Sequence, residues 1–242
     1  MITGANKMAD LVHMNYLLVS VINRFDISLG FGESTVSEVC EKHNVSVDFF
    51  ITIVNSFHDP NYFPERNLQD FSIQFIVDYL GKTHRYYLEE KIPEIEALME
   101  QMLVECYPDN NPAQLLISFF KEYKNELIAH ILREDEVVFP HALIIEDLFS
   151  DSSNDLVKNE SSGYSINEYR SEHNDIEEKL YDLKNIIIKY LPSPKNQALC
   201  LKVLTELFNL EKDMNDHSRI EDKVLIPKVT MMENELKRRV KN

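Results

Sequence analysis

Two stretches of the chain spell one pattern. Residues 130–140 read His130-Ile131-Leu132-Arg133-Glu134-Asp135-Glu136-Val137-Val138-Phe139-Pro140, and residues 217–227 read His217-Ser218-Arg219-Ile220-Glu221-Asp222-Lys223-Val224-Leu225-Ile226-Pro227. Both are H-x-x-x-E-D-x-V-x-x-P. A carboxylate stands four residues before each histidine, Glu126 in the first copy and Asp213 in the second. Positions i and i+4 project from one face of an α-helix, one turn apart. His130 and Glu134 therefore aim at one place, and so do His217 and Glu221.

Working outward, each copy is preceded at nearly equal distance by another histidine: His84 lies 46 residues before His130, and His173 lies 44 before His217. Each falls toward the middle of the preceding helical stretch, so an antiparallel neighbour can bring it beside the following motif. The halves then compare as His…His-x-x-x-Glu twice, which gives four imidazoles and two carboxylates. Such a set suits two transition-metal ions; iron, manganese or zinc fits it, whereas calcium or magnesium would want mostly oxygen. If each Glu bridges both ions and each ion takes two His, an octahedral ion with one solvent bridge keeps a position open for a small ligand. A single His-x-x-x-Glu is commonly a surface ion pair. Two copies with the same trailing residues are hard to obtain by accident.

Apolar residues at three- and four-residue spacing continue around these motifs. Phe71, Phe75, Leu80 and Leu88 open one helical stretch, which runs to about Cys106. Leu115, Phe119, Leu127 and Ile131 mark a second, to about Leu148, and Ile176, Leu180, Leu183 and Ile187 a third. Leu201, Leu204, Leu207, Phe208 and Leu210 open a fourth that runs nearly to the C-terminus. Only 5 of 242 residues are glycine, too few for a turn-rich β-fold but ample for long helices. The expectation is an all-α protein whose residues 71–242 form an up-down-up-down four-helix bundle. Breaks fall at His58 to Pro64, at Pro108 to Pro112, at Leu191 to Pro194, and across Ser150 to Gly163, which reads as a surface loop.

Residues 1–60 read as a small helical N-terminal domain. Thr35 with Glu38 forms a capping-box pattern, Asp48 to Phe57 reads as a short helix, and the glycines of Leu29-Gly30-Phe31-Gly32 allow a tight connection. A net charge of −16 disfavours nucleic acid and anionic membrane surfaces. Leu11 to Ile22 is interrupted by His13, Asn15 and Ser20, and nothing approaches a membrane span. Cys40, Cys106 and Cys200 show no paired spacing and read as reduced buried thiols, so a cytoplasmic protein is expected. His13, His43, His58 and His141 lack a matching constellation and read as solvated. Tyr86, Tyr87 and Tyr169 neighbour the proposed ligands and read as packing residues.

These residues carry a resemblance. With Thr83-His84-Arg85-Tyr86-Tyr87-Leu88, Ile92-Pro93, Ser171-Glu172-His173-Asn174 and both His-x-x-x-Glu blocks, residues 71 to about 238 resemble the hemerythrin-like di-iron bundles, and among them the iron–sulfur-cluster-repair proteins. Residues Phe25 to Cys40 resemble the short helical domain that precedes the bundle in that group. Where the group commonly carries Cys-Cys-Gly-Gly, this chain reads Leu29-Gly30-Phe31-Gly32. The resemblance implies His84, His130, His173 and His217 as terminal ligands of two iron ions, bridged by Glu134 and Glu221. It further implies Glu126 and Glu172 as acidic residues along the approach to the metals. Implied partners are nitric oxide, dioxygen, damaged iron–sulfur proteins and a second copy in a homodimer. The implied function is repair of iron–sulfur clusters after oxidative or nitrosative damage, by iron donation or by reduction of nitric oxide. The alternative is a protein that binds or senses dioxygen or nitric oxide without turnover. The ferritin-like carboxylate proteins use Glu-x-x-His, the reverse order and a different spacing.

Overall fold

The computed structural model describes residues 1–108, 111–150, 165–166 and 174–241. Six shorter helices precede or begin the bundle: α1 (Met8–Met14), α2 (Leu18–Asn23), α3 (Val36–Lys42), α4 (Val47–His58), α5 (Glu65–Asp70) and α6 (Ile73–Tyr86). Then come α7 (Ile92–Cys106), α8 (Asn111–Arg133), α9 (Phe139–Ser150), α10 (Asn174–Asn185), α11 (Gln197–Ile220) and α12 (Ile226–Lys241). Among the described residues the only β pairing is a single bridge between Lys7 and Thr35. The protein is all-α.

Four π-helical turns join these pieces into long rods. They run Tyr87–Lys91 between α6 and α7, Glu134–Val138 between α8 and α9, Ile186–Tyr190 after α10, and Glu221–Leu225 between α11 and α12. In each, the residue after the turn donates its N–H five residues back: Ile92 to Tyr87, Phe139 to Glu134, Leu191 to Ile186 and Ile226 to Glu221. A proline follows each time, at Pro93, Pro140, Pro192 and Pro227. Proline has no N–H and its ring clashes with the carbonyl four residues back, so a widened turn accommodates it. That is the physical meaning of the proline in the repeated motif. Both motif glutamates are the first residue of such a turn, where π-bulges favour functional positions.

The rods pack antiparallel. The end of the first (α7) lies against the start of the fourth (α11) and of the second (α8), while α10 lies between α8 and α11. Entry to the bundle is fixed by caps. Ser72 Oγ accepts from the Phe75 N–H, and Glu146, at the far end of the second rod, accepts from the N–H groups of Ile73 (2.7 Å) and Gln74 (3.3 Å). A carboxylate at a helix N-terminus also meets the positive end of its dipole.

Local readings in the N-terminal region hold. Thr35 and Glu38 exchange both bonds of the capping box, and Gly30 and Gly32 have φ of 105° and 59°, where a β-carbon would be strained. The three thiols are free and buried. Most of the Ser150 to Gly163 loop lies outside the described residues, as does Tyr169.

Buried apolar side chains form two clusters. One joins the N-terminal helices (Leu18, Phe25, Phe50, Ile53) to one half of the bundle (Leu80, Val138, Phe139, Ile220, Val224). The other fills the opposite half with Tyr87, Met99, Phe120, Leu183 and Leu207. Proposed donors sit where the two meet: His84 stacks on Phe139 of the first cluster, and Tyr87 of the second packs against His217.

Candidate metal centre

Four of the expected donors converge in the interior. His84, Glu134, His217 and Glu221 each offer a ligand atom, and these atoms all lie within 4.8 Å of one another. His84 and both glutamates are 1% exposed, and His217 is 8% exposed. The His84 Nε2 atom lies 3.0 Å from Glu134 Oε2 and 3.1 Å from His217 Nε2, and His217 Nε2 lies 3.1 Å from Glu221 Oε1. His130 joins through its Nε2, 2.8 Å from Glu134 Oε1, and keeps 15% of its side chain exposed. His173 and Glu172 lie outside the described residues. Glu126 is not drawn into the cluster: its carboxylate, 45% exposed, pairs with Lys179 on α10.

The helix geometry explains the convergence. His130 and Glu134 stand one turn apart on the second rod, His217 and Glu221 one turn apart on the fourth, and His84 reaches in from the first. The outer face of His84 is held by Asp135, whose Oδ1 is 2.8 Å from Nδ1. That bond directs Nε2 toward Glu134 and His217. Burial favours the neutral ring of His84, but the hydrogen bonds to Asp135 and Glu134 outweigh it and lift its pKa to about 9. Asp135 is therefore a partner of the histidine contributed by the preceding rod, a role that spacing within one helix does not reveal.

A cavity of about 20 Å³ opens beside the donors, room for a water. Leu127, Ile131, Ile176 and Met214 give it apolar walls, with Tyr87 and Glu177 also lining it. Glu177 was not singled out from the sequence, although it stands four residues after His173. Tyr87 packs, as expected, and it packs against a proposed ligand. Its ring meets the ring of His217 at 5.9 Å, edge to face, and its buried hydroxyl has no hydrogen-bond partner among the described residues.

The second carboxylate preceding a motif, Asp213, is buried and paired with Arg24 from the end of α2, Nη1 to Oδ1 at 2.9 Å and Nη2 to Oδ2. One expectation is corrected here. His141 is 9% exposed, not solvated, with Nε2 2.8 Å from Glu233 Oε1. It lies within the bundle because it faces α12, and the carboxylate there makes burial of the imidazole tolerable. Lys228, at the matching place in the second copy, is equally buried and donates to the carbonyls of Gln69 (2.8 Å) and Phe71. Of the remaining histidines, His13 is exposed and His43 and His58 are half-buried.

The donor set fits a metal. Two carboxylates side by side in a low-dielectric interior repel each other, and a cation between them relieves both that repulsion and their desolvation. Mixed imidazole and carboxylate donors match first-row transition metals.

A helical bundle with paired His-x-x-x-Glu motifs turned inward defines a class of cation-binding proteins, and the hemerythrin HHE cation binding domain matches residues 76–229 of this chain. The chain belongs to the hemerythrin HHE family. Over nearly its whole length it is also similar to iron–sulfur cluster repair protein ScdA. The Staphylococcus epidermidis protein is 22% identical over 247 residues, covering 95% of this chain and 100% of that protein. The Staphylococcus haemolyticus protein is 19% identical over 233 residues, covering 94% and 99%. No helix among the described residues is long and apolar enough to cross a membrane.

Proposed function

We propose that this chain is a non-haem di-iron protein that helps restore iron–sulfur clusters damaged by oxidative or nitrosative stress in the cytoplasm. The observation that carries the reading is the buried convergence of His84, Glu134, His217 and Glu221, with His130 attached, at the junction of two apolar cores. The similarity to cluster-repair proteins supports it because it extends across the N-terminal helices, which lie outside the matched cation-binding domain. In this reading His84, His130, His173, His217, Glu134 and Glu221 would hold the two ions. When bound, iron supplies one-electron redox chemistry and a position for a small ligand.

The chain's own residues do the rest. Asp135 keeps His84 turned inward, and Leu127, Ile131, Ile176 and Met214 exclude bulk water. The small cavity beside the donors leaves space for a small ligand such as nitric oxide or dioxygen. Imidazole and carboxylate hold iron less tenaciously than thiolates and release it when protonated, which suits donation to a damaged cluster. A second reading, gas binding without turnover, is favoured by one feature: Leu29-Gly30-Phe31-Gly32 offers no thiol.

The test is a repair assay with iron-loaded protein and an iron–sulfur dehydratase inactivated by peroxide or nitric oxide. Activity should return faster with the loaded protein than with the same quantity of free ferrous iron. Equal rates, together with stable and reversible oxygenation of the ferrous form, would establish the second reading instead.

A further inference from the structure

We propose that the N-terminal helices hold the metal centre closed through Arg24, so that their docking sets how fast the centre gives up its metal. The inference rests on the metal-binding reading above and adds a regulatory element to it.

Arg24 and Asp213 are 189 residues apart in sequence, yet both are buried, at 4% and 6% exposure. The pairing is a two-pronged fork, the geometry in which guanidinium and carboxylate fix each other's orientation. Asp213 stands one helical turn before His217 on α11, so the fork pins the backbone that presents this donor. The same guanidinium reaches His217 by a second path. Its Cζ lies 4.8 Å from the ring centroid of Tyr86 and 5.8 Å from that of Tyr87, and Tyr87 packs edge-on against His217. Tyr79 Oη, 3.5 Å from Arg24 Nη1, closes the group. One side chain of the N-terminal unit thus constrains one donor from two directions.

The contrast with the other half of the repeat strengthens the case. Glu126 occupies the position of Asp213 relative to its own histidine, but it pairs at the surface with Lys179 from inside the bundle. The two halves are therefore unequal. The carboxylate preceding His130 is held by a bundle helix, whereas the one preceding His217 is held by the N-terminal unit. Arg24 is a positioning residue acting through Asp213 and Tyr87. If the unit lifts, Asp213 loses its counter-charge, Tyr87 loses its backing, and the donor on α11 is free to shift.

The experiment uses the full chain loaded with ferrous iron, and follows transfer of iron to a ferrous chelator together with the visible absorption of the oxidised form. Wild type is compared with R24Q, R24K and R24Q/D213N, and with L183A, which thins the opposite half of the bundle core and leaves the N-terminal unit untouched. Metal-free samples are checked by far-ultraviolet circular dichroism. R24Q should release iron about tenfold faster than wild type, the usual scale for losing a group that orients a ligand. R24K, which keeps the charge without the fork, should fall between them. L183A should lower the melting temperature without changing release. R24Q/D213N, which removes both buried charges together, serves if R24Q does not fold, and should also release faster with a shifted absorption band. Wild-type release rates and spectra in both R24Q and R24Q/D213N would overturn the inference while leaving the metal reading intact. Matching acceleration in L183A would overturn it too, by showing general loosening. Failure of wild type itself to retain iron would overturn the metal reading and this inference with it.

Discussion

Glu233 offers the clearest single test of the packing described above. Its carboxylate is 5% exposed and accepts from His141 Nε2 at 2.8 Å, Ser165 Oγ at 2.7 Å and the Ile166 N–H at 3.1 Å. One acceptor thus ties α12 to α9 and to the chain just before α10. Hydrogen bonds to a charged group contribute about 1.5–3 kcal/mol each, but bonds sharing an acceptor do not add. Replacing Glu233 by Ala leaves three donors facing a void, and breaking a buried pair in this way costs roughly 3–5 kcal/mol. For a chain of this size about 1 kcal/mol moves the melting temperature by about 2–4 °C, so a drop of about 6–20 °C is expected. Gln, which retains an oxygen but adds donors, should lose about half as much.

The pH dependence supplies a second arm. Burial alone would raise the carboxyl pKa, but the bonds from His141, Ile166 and Ser165 outweigh it and hold the group below its ordinary value. A depressed folded-state pKa stabilises above the unfolded value and is lost as pH falls through the folded one. The gap between wild type and E233Q should therefore be full at pH 7 and narrow progressively below pH about 4.5. The chain has no tryptophan, so unfolding is followed by circular dichroism at 222 nm. A change under about 1 °C in E233A, or a gap that does not depend on pH, would show that these three bonds do not hold the bundle end.

Other expectations concern the centre and its surroundings. Glu134→Ala and Glu221→Ala should each reduce bound iron at least tenfold, read by elemental analysis after gel filtration. Asp135→Ala should weaken metal binding by about 10–100-fold in a chelator competition, with Asn intermediate, because His84 loses the bond that orients it. Burial, reinforced by Asp213 and opposed by Arg219 and Lys212, lifts the Asp216 carboxyl to about 6. The folded protein therefore holds that proton more tightly than the unfolded chain, and stability falls as pH rises from about 4 to 6. Asp216→Asn should remove that fall, and an unchanged stability–pH curve would refute it. Leu207→Ala, at a side chain with no exposure, should cost about 2–5 kcal/mol in denaturant unfolding.

The sequence revealed what one helix can encode. Three- and four-residue spacing located the rods, and the i, i+4 rule placed His130 beside Glu134 and His217 beside Glu221. The proline and glycine breaks placed most of the ends. Relations across rods were harder to read. Asp135 serves His84, 51 residues away, and nothing in the local pattern distinguishes it from a solvated acid. Arg24 and Asp213 meet only after the whole chain has folded, and His141 is buried for the same reason. The π-turns were also invisible, because a hydrogen bond displaced by one residue leaves apolar spacing nearly unchanged; the prolines were the trace they left. Cys106 Sγ donates to the carbonyl of Asn196 at 3.3 Å, one turn before Cys200, and burial pushes the Cys106 thiol up to about 11. Sequence distance had made them look unrelated.

The division of the apolar interior bears on cooperativity. A bundle with one continuous core melts as a unit, whereas two cores separated by a layer of carboxylates and imidazoles have a natural seam. A cation in that layer acts as a rivet, converting mutual repulsion across the seam into shared attachment. Loaded protein should therefore lose its two halves together, and chelation should let them exchange amide hydrogens at separate rates. Under the function proposed above, the metal centre would then also be what makes this chain a single thermodynamic object, and giving up iron would soften the donor at the moment of transfer.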